Sequence, residues 1–375
     1  MNSQPEQQNL EITGILPIDD YLSLTDEQSN ARIIQAREKL GERLIILGHH
    51  YQRDEVFRHA DCAGDSLKLS RRAANSEAEF IVFCGVHFMV EVADILSRPD
   101  QTAILPDMGA GCSMADMANL TKVERAWREL STLLDANQSI TPVTYINSAA
   151  DLKAFCGRHG GIVCTSSNAR KVLEWSFDQR EKVLFFPDQH LGRNTGYDMG
   201  IPLEQMVTWD FDKPMGGLTA EQIRQAKMIL WSGFCSVHQM FQPEQIDNFK
   251  KRHPETQVIA HPESSFEVCR KSDRVGSTEQ IIRAVADSAP GSRWLVGTEL
   301  NLVNRLHQQF KDQGKQVHFM SPTVCMCSTM FRIDQQHLLW VLENLLEDVV
   351  VNPVRVDAEN AVQAKVALER MLDFK

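Results

Sequence analysis

The chain has 375 residues, 43% of them hydrophobic and 24% charged, an ordinary globular composition with length enough for more than one core. Its 39 basic and 50 acidic residues leave a net charge of −11, and basic residues gather only in small groups such as Arg71-Arg72 and Lys250-Lys251-Arg252, read as solvated helix faces. That balance argues against nucleic acid or an anionic membrane as a partner, and the lack of any uncharged apolar run of about 18 residues argues against a membrane span.

Residues 1–35 read as an N-terminal extension. Its start, MNSQPEQQNLEITGILPIDD, has neither a basic opening nor an apolar stretch, so no secretory leader is expected. The compartment is then expected to be the reducing cytoplasm, and the nine cysteines are assigned to packing, metal ligation or catalysis, not to a disulfide framework.

From residue 36 onward, short β-branched apolar runs alternate with longer helical patterns, as in α/β proteins with parallel sheets. One type of run ends in a polar cluster and occurs at Arg43–Gln52, Pro142–Ala149 and Gln257–Ser265. A second type follows at Glu79–Phe88, Gly161–Ala169 and Asp273–Gln280, and a third at Thr102–Gly109, Lys182–Gln189 and Ser292–Glu299. The phase, about 100 to 115 residues, is too long for a solenoid. Amphipathic segments such as Asp65–Ser76, Asp151–Gly160 and Glu279–Ala289 lie between the runs. Three similar α/β units are therefore expected at 36–136, 137–239 and 240–335, with a C-terminal helical segment at 336–375 in which His337–Val350 reads as a packed helix.

In open α/β units ligands sit beyond the carboxyl ends of the strands, where each polar cluster falls. A single cluster is adequately explained as helix caps and turns. Three at equivalent positions, carrying His, Tyr, Asn and Glu, point to a site shared between the units. Cys112, Cys235 and the Cys325/Cys327 pair also follow apolar runs, in loops that can converge. Cys62, Cys84, Cys156, Cys164 and Cys269 sit in or beside apolar patterns and read as small core hydrophobes. The candidate thiols lie over a hundred and about ninety residues apart, with no Cys-x-x-Cys pair, so spacing alone supports no zinc finger.

From about Arg43 to Met330 the chain resembles the quinolinate synthase family. The resemblance rests on GHHYQ at 48–52, GDSL at 64–67, FMVEVADIL at 88–96, the cysteine loop at 109–116 and YINSAA at 145–150. It continues through CTSSNA at 164–169, PDQHLGRNT at 187–195, WSGFCSVH at 231–238, HPES at 261–264 and GST at 276–278. It implies a fold of three similar α/β/α domains with parallel sheets, in pseudo-threefold arrangement around a central [4Fe–4S] cluster held by Cys112, Cys235 and one cysteine of the CMC pair. Cys327, which is followed by Ser328, Thr329 and Met330, fits the family's third ligand; Cys325 does not.

Three thiolates where cubanes usually have four leave one iron free to act as a Lewis acid. The resemblance further implies a transferase of NAD biosynthesis that condenses iminoaspartate with dihydroxyacetone phosphate, with an L-aspartate oxidase as possible supplier. By motif match Tyr51, Glu263 and His238 take catalytic roles, and His49, Ser66, Tyr145, Asn147, Ser166, His261 and Thr278 bind substrate. His50 is left as a bystander, and no lysine stands out for a Schiff base. Two rivals are an iron–sulfur redox or iron sensor without turnover and a cluster-free binding module.

Overall fold

The computed structural model describes residues 14–323 and 326–374, so Cys325 lies outside the described residues. Three sheets follow one another along the chain. The first holds β1 (Leu44–His49), β2 (Cys62–Gly64), β3 (Phe80–Cys84) and β4 (Thr102–Ile104) in the order β2-β1-β3-β4. The second holds β5 (Ile140–Tyr145), β6 (Ile162–Cys164), β7 (Lys182–Phe186), β8 (Met206–Trp209) and β9 (Met228–Trp231) in the order β6-β5-β7-β9-β8. The third holds β10 (Gln257–Ala260), β11 (Arg274–Val275), β12 (Arg293–Gly297) and β13 (Gln316–Phe319) in the order β11-β10-β12-β13. Every pairing among these strands is parallel.

Parallel strands are covered on both faces, which is why they read as unbroken apolar runs; β1, β5 and β7 are buried along their whole length. In the third sheet the two faces separate cleanly. Ile259, Trp294 and Val296 pack in one layer, while Val258, Ala260 and Leu295 pack in another with Phe241 and Ile246.

The fold is α/β with three parallel sheets and helices, as expected, but the repeat is in a different register. The sheet orders match β2 with β6 and β11, β3 with β7 and β12, and β4 with β9 and β13. The sequence reading grouped Glu79–Phe88 with the second-type runs, whereas its strand is equivalent to the third-type β7 and β12. The cause is β2, only three residues long (Cys-Ala-Gly) and without a β-branched residue to mark it. In the corrected register Cys112, Cys235 and Cys327 all follow the equivalent strands β4, β9 and β13.

The C-terminal segment divides between two cores. Its helix Gln335–Leu346 packs on the helix Asp26–Leu40 over the first sheet, where Glu343 accepts from Arg32 at 2.9 Å and from Tyr21 at 2.7 Å. The helix Ala358–Leu372 instead packs against Ala150–Arg158 of the second unit. That approach requires glycine at 157, since a Cβ there would lie 2.0 Å from the Gln363 carbonyl. Among the described residues no helix is long and apolar enough to cross a membrane.

Candidate active site

The first strand of each sheet ends in two polar residues spaced i, i+2. These are His49 and Tyr51 after β1, Tyr145 and Asn147 after β5, and His261 and Glu263 after β10. All six line one cavity of about 660 Å³, together with Ser66, Ser166, Thr278, Cys112, Cys235 and Cys327. The strand orders put this cavity at the carboxyl edge of the sheets, beside the point where the chain reverses its direction of strand addition. Of the residues picked from sequence, His238 alone is not on the wall; it stands behind it, against Glu263.

The two histidine pairs share a local geometry. The Tyr51 amide donates to His49 Nδ1 at 3.1 Å, and the Glu263 amide donates to His261 Nδ1 at 3.4 Å. An accepting Nδ1 leaves the proton on Nε2, so both neutral imidazoles offer an N–H donor. Burial lowers both to about 3, and the neighbouring His50 adds to the effect at His49. His50 itself turns away to Glu279, 3.0 Å from Nε2.

Tyr51 donates or accepts at Thr298 (2.9 Å) and Thr278 (3.3 Å), and burial holds its phenol far above the usual range, hence protonated. Tyr145 is also kept a phenol by burial and by the Glu263 charge, and its hydroxyl meets both Glu263 and Ser166. Glu263 is 3% exposed. Burial opposes its charge, but His261, His238 and the Tyr145 hydroxyl outweigh burial and bring it to about 2. Since His261 is neutral above about pH 3, the carboxylate at neutral pH is held mainly by polar contacts: His238 Nδ1 at 2.9 Å and the Tyr145 hydroxyl.

Sequence reasoning missed the supports. Asp65 caps the helix Ser66–Ala74 and accepts from Ser167 at 2.8 Å, tying the first unit to the second. Asn194, buried in the helix Gln189–Asp198, donates to the carbonyls of Pro262 (2.8 Å) and Ser264 (2.9 Å), on either side of Glu263. Lys153 is fully buried and lowered to about 8 by that burial; it donates to the Ser148 carbonyl and does not line the cavity. Asn194 was legible only as a letter within PDQHLGRNT, and nothing in Lys153's helical pattern marks it as buried.

All eight described cysteines are free thiols, and three of them face the cavity. Burial pushes Cys112 up to about 12 and raises Cys235 and Cys327; the Cys327 charge adds at Cys112, the Glu263 charge and the other two thiols add at Cys235, and Glu299 adds at Cys327. Without a cation they are therefore neutral thiols, whereas a thiophilic metal group would draw out their charge. Their sulfurs are not gathered closely enough for one ion. Among the described residues, the group of ligating atoms lying within 4.8 Å of one another is Cys235, His238 and Glu263. Three thiols facing one cavity, one after each of the equivalent strands β4, β9 and β13, are the kind of donor set that iron–sulfur clusters take.

The buried imidazoles give an expected pH dependence of stability. In the folded chain His49 and His261 sit at about 3 and His190 at about 4, against about 6.5 when unfolded. Each therefore contributes stability that is whole above about pH 6.5 and is lost as the pH falls toward the folded value. The slope is roughly 1.4 kcal/mol per pH unit for each. Urea unfolding of cluster-free protein from pH 7 to 5 is expected to weaken steeply, and His49→Gln is expected to reduce the slope by about one histidine's share. An unchanged slope would mean that His49 titrates normally.

Three parallel sheets, each sending one pair of polar side chains and one thiol to a common cavity, define an α/β enzyme-like site. The chain belongs to the quinolinate synthetase A family, whose model matches residues 31–373. It is 54% identical to the quinolinate synthase of Rhodopirellula baltica, over 100% of this chain and 97% of that protein. The quinolinate synthase of Acidobacterium capsulatum is 53% identical over 96% of each chain, and that of Streptomyces coelicolor is 52% identical over 98% of this chain and 92% of its own.

Proposed function

We propose that the chain is a cytoplasmic transferase that condenses iminoaspartate with dihydroxyacetone phosphate, releasing phosphate and two waters to leave quinolinate for NAD synthesis. The atoms balance without oxidant or reductant. The observation that carries this reading is the meeting of the three i, i+2 pairs, one from each sheet, in a single cavity faced by three thiols. Cys112, Cys235 and Cys327 would hold a [4Fe–4S] cluster, which when bound supplies a Lewis acid at its thiol-free corner. The working units are taken as 36–136, 137–239 and 240–335, and an L-aspartate oxidase as the supplier of iminoaspartate.

The remaining roles follow from the side chains. Substrate carboxylates and phosphate are met by neutral donors: the Nε2–H groups of His49 and His261 and the hydroxyls of Ser66, Ser166 and Thr278. Ser66 and Thr278 open the helices Ser66–Ala74 and Thr278–Ala286, whose free N–H groups favour anions. The Asn147 side-chain oxygen, buried and without a partner among the described residues, accepts from the imine or enamine nitrogen. Glu263 takes the proton that turns imine into enamine and returns it to a departing hydroxyl, with His238 holding the carboxylate in place. Tyr51, kept protonated, donates to developing negative charge on the triose unit.

Anaerobically reconstituted protein given both substrates is expected to form quinolinate. A redox or iron sensor would form none.

Asn194 tests the positioning of Glu263. Asn194→Asp keeps the shape but replaces a double donor with a charge facing two carbonyls, and is expected to lower kcat at least tenfold with iron content unchanged. Because a protonated carboxyl can still donate once, this variant should recover activity as the pH falls while the parent does not. A loss independent of pH would assign Asn194 to folding alone.

A further inference from the structure

Beside one thiol of the three-thiol frame stand two further donors that the frame does not use. Cys235 Sγ, a ring nitrogen of His238 and a carboxylate oxygen of Glu263 all lie within 4.8 Å of one another. Among the described residues His238, 1% exposed, has no partner for Nε2, and its Nδ1 meets Glu263 Oε2 at 2.9 Å in poor hydrogen-bond alignment. An imidazole so deeply buried with Nε2 unpartnered and Nδ1 poorly aligned is costly unless something else meets it. Cys235 and His238 belong to one short segment, with Cys235 directly before the helical turn Ser236–Gln239, so their spacing is locally fixed. Glu263 is fixed independently, by Asn194 through the carbonyls on either side.

We propose that the chain, when it lacks its iron–sulfur group, binds one zinc-type divalent cation at Cys235, His238 and Glu263, and that this ion blocks cluster assembly. Thiolate, imidazole and carboxylate together form a common zinc donor set, with bonds of about 2.3, 2.0 and 2.0 Å that set the donors about 3.5 Å apart in a tetrahedron. The observed grouping needs only side-chain closure of about an ångström to reach that. On binding, the Cys235 thiol gives up its proton to solvent and the ion takes the sulfur lone pair; nothing is oxidised or reduced. The fourth position faces the cavity and is filled by water. The site itself stands on these three side chains alone, whereas the competition with assembly rests on Cys235 also being a cluster ligand.

The test uses full-length chain, stripped anaerobically of iron and titrated with Co2+ and then Zn2+. One Co2+ per chain is expected, with thiolate-to-cobalt absorption and the strong visible bands of a tetrahedral ion, all displaced by one equivalent of Zn2+. In the zinc-loaded wild type, alkylation of Cys235 should slow at least tenfold while Cys112 and Cys327 react as before. This mapping needs no variant to fold. His238→Gln should weaken cobalt binding at least tenfold, and Cys327→Ser should leave it intact. Sub-stoichiometric uptake, or protection of all three thiols together, would overturn the site. Zinc mapped to Cys235 with iron–sulfide reconstitution unhindered would overturn the competition, leaving the zinc site standing.

Discussion

Glu263→Gln is expected to lower kcat for quinolinate formation by about 10² to 10⁴, the usual span for removal of a positioned acid–base group. The substitution is nearly isosteric and retains an oxygen to accept from Tyr145, and the main chain on either side stays clamped by Asn194. What it removes is the negative charge and the capacity to carry a proton. The loss should fall on kcat more than on KM, because the neutral donors His49, His261, Ser66 and Ser166 still surround the substrate. Iron content should not change, as no cysteine is touched. Because His261, His238 and the Tyr145 hydroxyl hold Glu263 below the usual carboxylate range despite its burial, the parent's carboxylate is ionised at neutral pH, and no limb belonging to it should appear near pH 7. Retention of activity within tenfold in Glu263→Gln would remove Glu263 from proton transfer and return the role to Tyr51 or His238.

The sequence made the site more legible than the scaffold. Strand ends carry their polar residues as contiguous letters, so His49-x-Tyr51, Tyr145-x-Asn147 and His261-x-Glu263 were visible as clusters before any strand was placed. Their convergence follows from topology, because each lies at the end of its sheet's first strand. The register of the repeat was lost on β2, where three residues carry too little pattern to announce a strand. The supporting residues were hidden for another reason. Asn194, Asp65 and Lys153 act through contacts 68 to 70, 102 and 5 positions away in the chain, and a local pattern records only the near ones. Even Lys153, with a near partner, looks from sequence like any solvated helix lysine. Its burial comes from the packing of the helix Ala150–Arg158 between the second sheet and the C-terminal helix.

Cys112→Ser, Cys235→Ser and Cys327→Ser are each expected to abolish quinolinate formation, by about 10³-fold or more, and to lower the iron bound after anaerobic reconstitution. Cys62→Ser should do neither, since Cys62 is a free thiol off the cavity in the edge strand β2. The argument turns on chemistry at constant shape. Serine fills nearly the same volume, so packing around the cavity is preserved, but a hydroxyl does not replace a soft thiolate as a ligand to iron–sulfur clusters. Among the described residues one cavity-lining thiol follows each of β4, β9 and β13, so the loss of any one leaves two such anchors on two sheets. A cluster so held lacks its fixed position relative to Glu263, and the losses should be similar in all three variants. If one of the three keeps full iron and activity, its thiol is not a ligand, and the equivalence of the three strand ends does not extend to metal binding.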